Sequence, residues 1–135
     1  MAEPVMGPFK RGEVNPYGQF FKGQSYLNML TQSALPIGNV TFEPGCRNHW
    51  HIHHAAEKGG QILLCTYGRG WYQQWGEPAR ELREGDVVVI PANVKHWHGA
   101  AKDSWFVHLA VEVPGKDAST EWLEPVDDRD YASLE

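Results

Sequence analysis

A chain of 135 residues has room for one domain around one core, and its 41% hydrophobic and 21% charged residues are those of an ordinary globular protein. The formal net charge is -5 and no Lys/Arg run forms a basic stripe, so there is no electrostatic footprint for nucleic acid. No apolar run is long enough to span a bilayer, and the opening MAEPVMGPFKRGE lacks the apolar centre of a secretory signal, which leads us to expect a cytoplasmic protein without a membrane partner.

Residues 1–24, rich in Gly, Pro and Asn, read as an irregular arm. A barrel is expected over 25–115. SYLNMLTQS alternates as a strand, LPIG makes a turn, and NVTFEP is a second strand stopped by Pro44 and Gly45. NHWHIHH, QILLCTYG, GWYQQWG, ARELREG, DVVVIP, KHWHGA and SWFVHLAVEV follow as strand-length segments with no helical periodicity. Many short strands at this spacing predict an all-β sandwich or barrel. The tail, 116–135, has helical character and reads either as a short last helix capped by Asp127 or Asp128 or as a loosely ordered acidic segment. Cys46 and Cys65 stand far apart in sequence and read as free buried thiols in a reducing compartment.

HWHIHH, residues 49–54, holds four of the seven histidines. On one continuous strand His49, His51 and His53 share a face, and Trp50, Ile52 and His54 share the other. In KHWHGA, His96 and His98 again stand two apart with a Trp between them. A single row of imidazoles is either solvated or gathered around an ion. Two such pairs, each on a strand, point to a metal site.

This pattern resembles the cupin family. For its first motif, Gly45 is followed by five residues and then His51-Ile52-His53, and six residues separate Gln61 from Gly68. For its second, Gly85, Pro91 and His96 fall at the family spacings, with Asn93 where Gly is usual and Ala100 where Asn is usual. Asn tolerates the left-handed turn that Gly normally fills, so the same turn is expected. The resemblance implies a single-domain jelly-roll barrel (a double-stranded β-helix) with a divalent transition metal in its mouth and His51, His53 and His96 as ligands. Gln61, in strand register before ILLCTYG, is the preferred fourth ligand over Glu57, which lies in the loop-like AAEKGG.

The stretches VTFEPGCRNHWHIH, GDVVVIPANVKHWHGAA and HLAVE further resemble the small bacterial manganese cupins that act as hydroxynitrile lyases. They also resemble cupins associated with carboxymuconolactone decarboxylase-like proteins. That likeness implies an ion, manganese first, held by His51, His53, Gln61 and His96, with His98 and His108 as further histidines of the pocket. The longer spacer before Gln61 departs from the lyases at the pocket rim, which bears on the substrate.

Three imidazoles and an amide are neutral, so a divalent ion among them keeps its full charge and acts as a Lewis acid. Zinc, nickel, iron and cobalt suit the same donors as manganese. His98 and His108 are the expected catalytic acid/base pair. His108 shares a strand face with Phe106, Ala110 and Glu112, and the opposite face is greasier; the resemblance turns His108 inward and puts the apolar face in a homodimer or higher homo-oligomer. His49 either lines the cavity or supports a ligand. Trp71, Tyr72, Trp75, Trp97 and Trp105 read mainly as core and interface packing. The expected function is lyase chemistry, hydroxynitrile lyase-like, or isomerase chemistry on a small carbonyl-type substrate. A metal-dependent dioxygenase and a non-catalytic small-molecule-binding cupin are the alternatives.

Overall fold

The computed structural model describes residues 6–134. The elements in chain order are β1 (Glu13–Val14), a single 3-10 turn (Gly18–Phe20), β2 (Phe21–Lys22), β3 (Ser25–Thr31), β4 (Ile37–Phe42), β5 (Arg47–Asn48), β6 (His51–His54) and β7 (Glu57–Lys58). They continue with β8 (Gln61–Gln74), β9 (Arg80–Arg83), β10 (Val87–Ile90), β11 (His96–Ala100), β12 (Phe106–Glu112), β13 (Gly115–Lys116), β14 (Ser119–Trp122) and α1 (Asp128–Ala132). The fold is all-β with one short helix at its end.

Strand β8 organises the barrel. Its first half pairs with β12 and β10, and its second half with β11 and β9, all antiparallel. The sheet runs β1-β3-β4-β12-β8-β11-β5-β2, while β6 joins β11 on one side and β14 on the other. Among the described residues only β7 and β13 stand apart, as a two-stranded ribbon. QILLCTYG and GWYQQWG, read as two strands, are one, because Gly68 and Gly70 let it bend without breaking. A Cβ on Gly68 would lie 1.8 Å from the Trp105 carbonyl oxygen, and its φ is +76°. The adjoining register shift brings His108 opposite Cys65, so that both face the interior.

The inward row of each strand fills the barrel. Phe42, Leu63, Leu82 and Phe106 are fully buried, with Cys46 and Cys65 among them as free thiols that burial pushes up to about 12. A second cluster, Trp50, Trp97, Val126 and Tyr131, fastens the C-terminal segment to the barrel's outside. Asp127 caps α1 by accepting from the amides of Arg129 and Asp130. Tyr131 donates its hydroxyl proton to the Ala100 carbonyl at 2.6 Å. The arm crosses the sheet's outside, where Asn28 and Asn39 both donate to the Lys10 carbonyl.

Two segments differ from their sequence reading. NHWHIHH is two strands, because His49 and Trp50 leave the ladder: the His49 amide donates to the Phe20 carbonyl and the Trp50 amide to that of Glu124. Residues 119–122, read as part of a helical tail, form β14 on the free edge of β6. A short isolated helix is marginal in water, whereas an open strand edge offers a row of hydrogen bonds to Thr120 and Trp122, both good strand formers. No helix among the described residues is long and apolar enough to cross a membrane.

Candidate metal centre

Alternation on β6 sends His51 and His53 inward, where both are buried. Direct pairing of β6 with β11 sets His96 opposite His51 and brings their rings to 4.2 Å. The His53 ring lies 5.0 Å from that of His51 and 5.3 Å from that of His96. Each ring is oriented through Nδ1. His51 Nδ1 donates to the His49 carbonyl at 2.8 Å, and His96 Nδ1 to the Val94 carbonyl at 2.9 Å. His53 Nδ1 meets Thr120 Oγ1 at 3.2 Å. Carbonyl oxygens only accept, so His51 and His96 keep their lone pair on Nε2.

Gln61 opens β8 and lines the same cavity as His51 and His53. Its Nε2 donates to Glu112 Oε1, which leaves the amide oxygen for the interior. His53 Nε2, His96 Nε2 and Gln61 Oε1 are all buried without a hydrogen-bond partner. An orphaned buried polar atom costs about 1–3 kcal/mol, so such atoms are rare; two of these sit on rings 5.0 and 4.2 Å from that of His51 and the third lines the same cavity as His51, a set that suits a cation.

Spacing alone selects a slightly different trio, since nitrogens of His51, His96 and His98 lie within 4.8 Å of one another. Both nitrogens of His98 are, however, engaged. Nδ1 lies 3.1 Å from His108 Nε2, and Nε2 lies 3.2 Å from Asn48 Nδ2, which also approaches Nδ1 at 3.4 Å. The available lone pairs therefore belong to His53 and Gln61 rather than to His98. Glu57 is exposed on β7, paired to β13 and away from the cavity. His49 contributes its carbonyl, not its ring, and His54 points outward to Glu121.

Asn48 orders the inner pair. Its Oδ1 accepts from the His98 backbone amide at 2.9 Å, so its Nδ2 must be the end facing the imidazole. A donor there favours an unprotonated Nε2 on His98 and the proton on Nδ1, directed at His108 Nε2. The His108 ring is completely buried, 5.3 Å from Phe42 and 5.5 Å from Phe106.

Five buried histidines are thus held neutral. Burial takes His96 and His108 down to about 4, partly opposed at each by nearby backbone carbonyls. Burial, reinforced by neighbouring imidazoles, takes His51 and His98 well below the ordinary range. Burial also lowers His53, against the opposing charge of Glu112. Neutral imidazole is the form that binds metals and accepts protons.

The cavity holds about 440 Å³. Phe21, Leu27, Met29, Val40 and Trp122 make its apolar wall, while His51, His53, Gln61, His98, His108 and Glu112 make its polar side. None of the five aromatics singled out in the sequence lines it. Trp122 does, 4.6 Å from the His51 ring and stacked on Phe20 at 4.7 Å. Trp122, Thr120 and Asn48 escaped the sequence reading. The first two arrive on a strand contributed by the tail, and Asn48 stands at one of the unspecified positions between Gly45 and His51 and carries no periodic signal.

Comparison with known proteins agrees with this fold. The Cupin domain family matches residues 38–112. An (R)-mandelonitrile lyase of Granulicella tundricola is 38% identical over 116 residues, covering 83% of this chain and 86% of the relative. The crystal structure of a cupin-like protein from Thermotoga maritima superposes with a TM-score of 0.80 at 42% identity, covering 91% of this chain and 92% of that one. A predicted oxalate decarboxylase from Thermotoga maritima shares the fold at 18% identity, with a TM-score of 0.66 over 75% of this chain and 90% of that one.

Proposed function

The chain belongs to the cupin family, and on that premise we propose that it is a metal-dependent lyase acting on a small carbonyl adduct such as a 2-hydroxynitrile. The observation that carries this reading is the set of buried, unpartnered atoms His53 Nε2, His96 Nε2 and Gln61 Oε1, the first two on rings packed against His51 and the third on a side chain that shares its cavity. Manganese is the leading ion, and when bound by His51, His53, Gln61 and His96 it supplies an undiminished divalent charge that polarises a substrate oxygen.

The remaining work falls to side chains. Cleaving a 2-hydroxynitrile breaks one carbon–carbon bond and moves the hydroxyl proton to the departing cyanide, with no net gain or loss of protons. His98 and His108, neutral and 3.1 Å apart, form a pair suited to that exchange. His98 Nε2 accepts the hydroxyl proton in exchange for its hydrogen bond from Asn48 Nδ2, the pair releases a proton to cyanide, and the starting state returns. The apolar wall of Phe21, Leu27, Met29 and Trp122 excludes water and favours a substrate with an apolar substituent.

A homodimer or higher assembly belongs to the same proposal. On the outer side of the sheet Val87 and Val89 are 51% and 68% exposed, in register with Leu64 and Ile62. Such a stripe favours a second copy across it. The free buried cysteines accord with a reducing, cytoplasmic compartment.

The test is metal content and aldehyde release from mandelonitrile, measured on untagged wild type and on the His51→Ala/His53→Ala and His98→Ala/His108→Ala double variants. The expected result is near-stoichiometric metal in wild type and in the second variant only, with turnover in wild type only. Turnover that survives loss of both His98 and His108 would refute the proton-transfer roles. Oxygen uptake by iron-loaded protein in place of aldehyde release would replace the lyase with an oxygenase.

A further inference from the structure

Glu112 ends β12 directly opposite Gln61 on β8, and both side chains reach the cavity. It is the one acidic residue lining that cavity among the described residues. Its Oε1 accepts from Gln61 Nε2 at 2.5 Å. The amide has two ends of nearly equal size and opposite character, a donating NH2 and an accepting oxygen. Nothing in its own shape decides which end faces inward. An ionised carboxylate accepts and never donates, so it takes the NH2 end and turns the oxygen away from itself. That oxygen is left buried and unpartnered, on a side chain that lines the same cavity as His51 and His53. The flipped amide would set oxygen against carboxylate and turn its N–H groups, which have no lone pair to offer a cation, toward the interior.

We propose that Glu112 is the positioning residue that makes Gln61 an oxygen donor to the metal and keeps it from presenting its NH2 group. The inference rests on the metal-centre reading above. It adds a charge to the account as well: the carboxylate behind the amide polarises the amide oxygen toward the ion, as a carboxylate behind a ligating imidazole does. Cross-strand pairing on a rigid ladder holds the two side chains together before any ion arrives.

Two measurements test it. The first is the dissociation constant for Mn2+ by calorimetry on metal-stripped protein. Glu112→Ala should weaken binding about 10- to 100-fold. Glu112→Gln, whose carbonyl can accept the same hydrogen bond but which lacks the charge and can turn its NH2 end instead, should recover part of the loss. On a Gln61→Ala background, Glu112→Ala should cost nothing further. Equal affinity of wild type and Glu112→Ala overturns the proposal. So does an additive loss on the Gln61→Ala background with no rescue by Gln, because Glu112 would then bind the ion itself.

The second measurement needs no metal. In the wild-type NMR spectrum the Gln61 side-chain amide protons should be shifted downfield and slow to exchange. Both features should vanish in Glu112→Ala and persist in Glu112→Gln. Their absence from wild type overturns the hydrogen bond and the proposal with it. Their presence in a wild type that binds no metal would instead refute the metal centre and deprive the pair of this role.

Discussion

Metal-free protein should lose stability in acid well before its carboxylates titrate. His108 is the clearest case. It is fully buried, and burial depresses it from an ordinary 6.5 to about 4. Above 6.5 both the folded and the unfolded chain carry this imidazole neutral. Between 6.5 and about 4 the unfolded chain binds a proton that the folded chain refuses. Stability is therefore full above the unfolded value and falls as pH drops through this window. Near the middle of the window the difference approaches one proton, or roughly 1 kcal/mol per pH unit, and the whole shift is worth roughly 3 kcal/mol. His96 adds a second contribution of the same size, and His51, His53 and His98 add others of the same sign. Urea denaturation of metal-stripped protein, followed by far-UV circular dichroism at half-unit steps of pH, measures the slope. His108→Phe keeps a ring between Phe42 and Phe106, and it should reduce the slope by about one proton in mid-window. A stability that stays flat down to pH 4.5, or a slope unchanged in His108→Phe, would refute the reasoning.

Three further outcomes are expected. Mn2+ at a hundred times its dissociation constant adds about 2.7 kcal/mol to the folded state, which for a chain of this length raises Tm by about 10 °C in a thermal scan; His51→Ala/His53→Ala should show no such rise. Histidine 15N spectra of metal-free wild type should find His98 Nε2 unprotonated, and in Asn48→Asp, which replaces the donor by an acceptor, that nitrogen should carry a proton. Gly68→Ala drives a Cβ into the Trp105 carbonyl at 1.8 Å and should cost about 3 kcal/mol or more, whereas Gly76→Ala, whose Cβ meets nothing within 4 Å, should cost only the 1–2 kcal/mol of its positive φ; equal urea midpoints for the two variants would contradict the close approach.

Much of this molecule was legible before folding because strands write their pattern locally. A period of two places His51 with His53 and His96 with His98 wherever each short segment stays extended, and Gly or Pro marks where it stops. Asn93 in place of a family glycine was readable as well, since a short polar side chain tolerates the left-handed turn; its φ is +68°. The same local rule failed at His49, because period two holds only while the ladder continues, and the carbonyls of Phe20 and Glu124 draw His49 and Trp50 out of it.

What the sequence by itself determined, then, is the β architecture, the cupin likeness and the histidines that line up along each strand. Tertiary structure alone decided how those histidines are used. Pairing β6 with β11 brought two rows into one cluster, and pairing β12 with β8 set a carboxylate behind an amide. The tail became a strand carrying Thr120 and Trp122 over the site. These are contacts between residues tens of positions apart, made when backbone hydrogen bonds find partners across the barrel, and no local period can encode them.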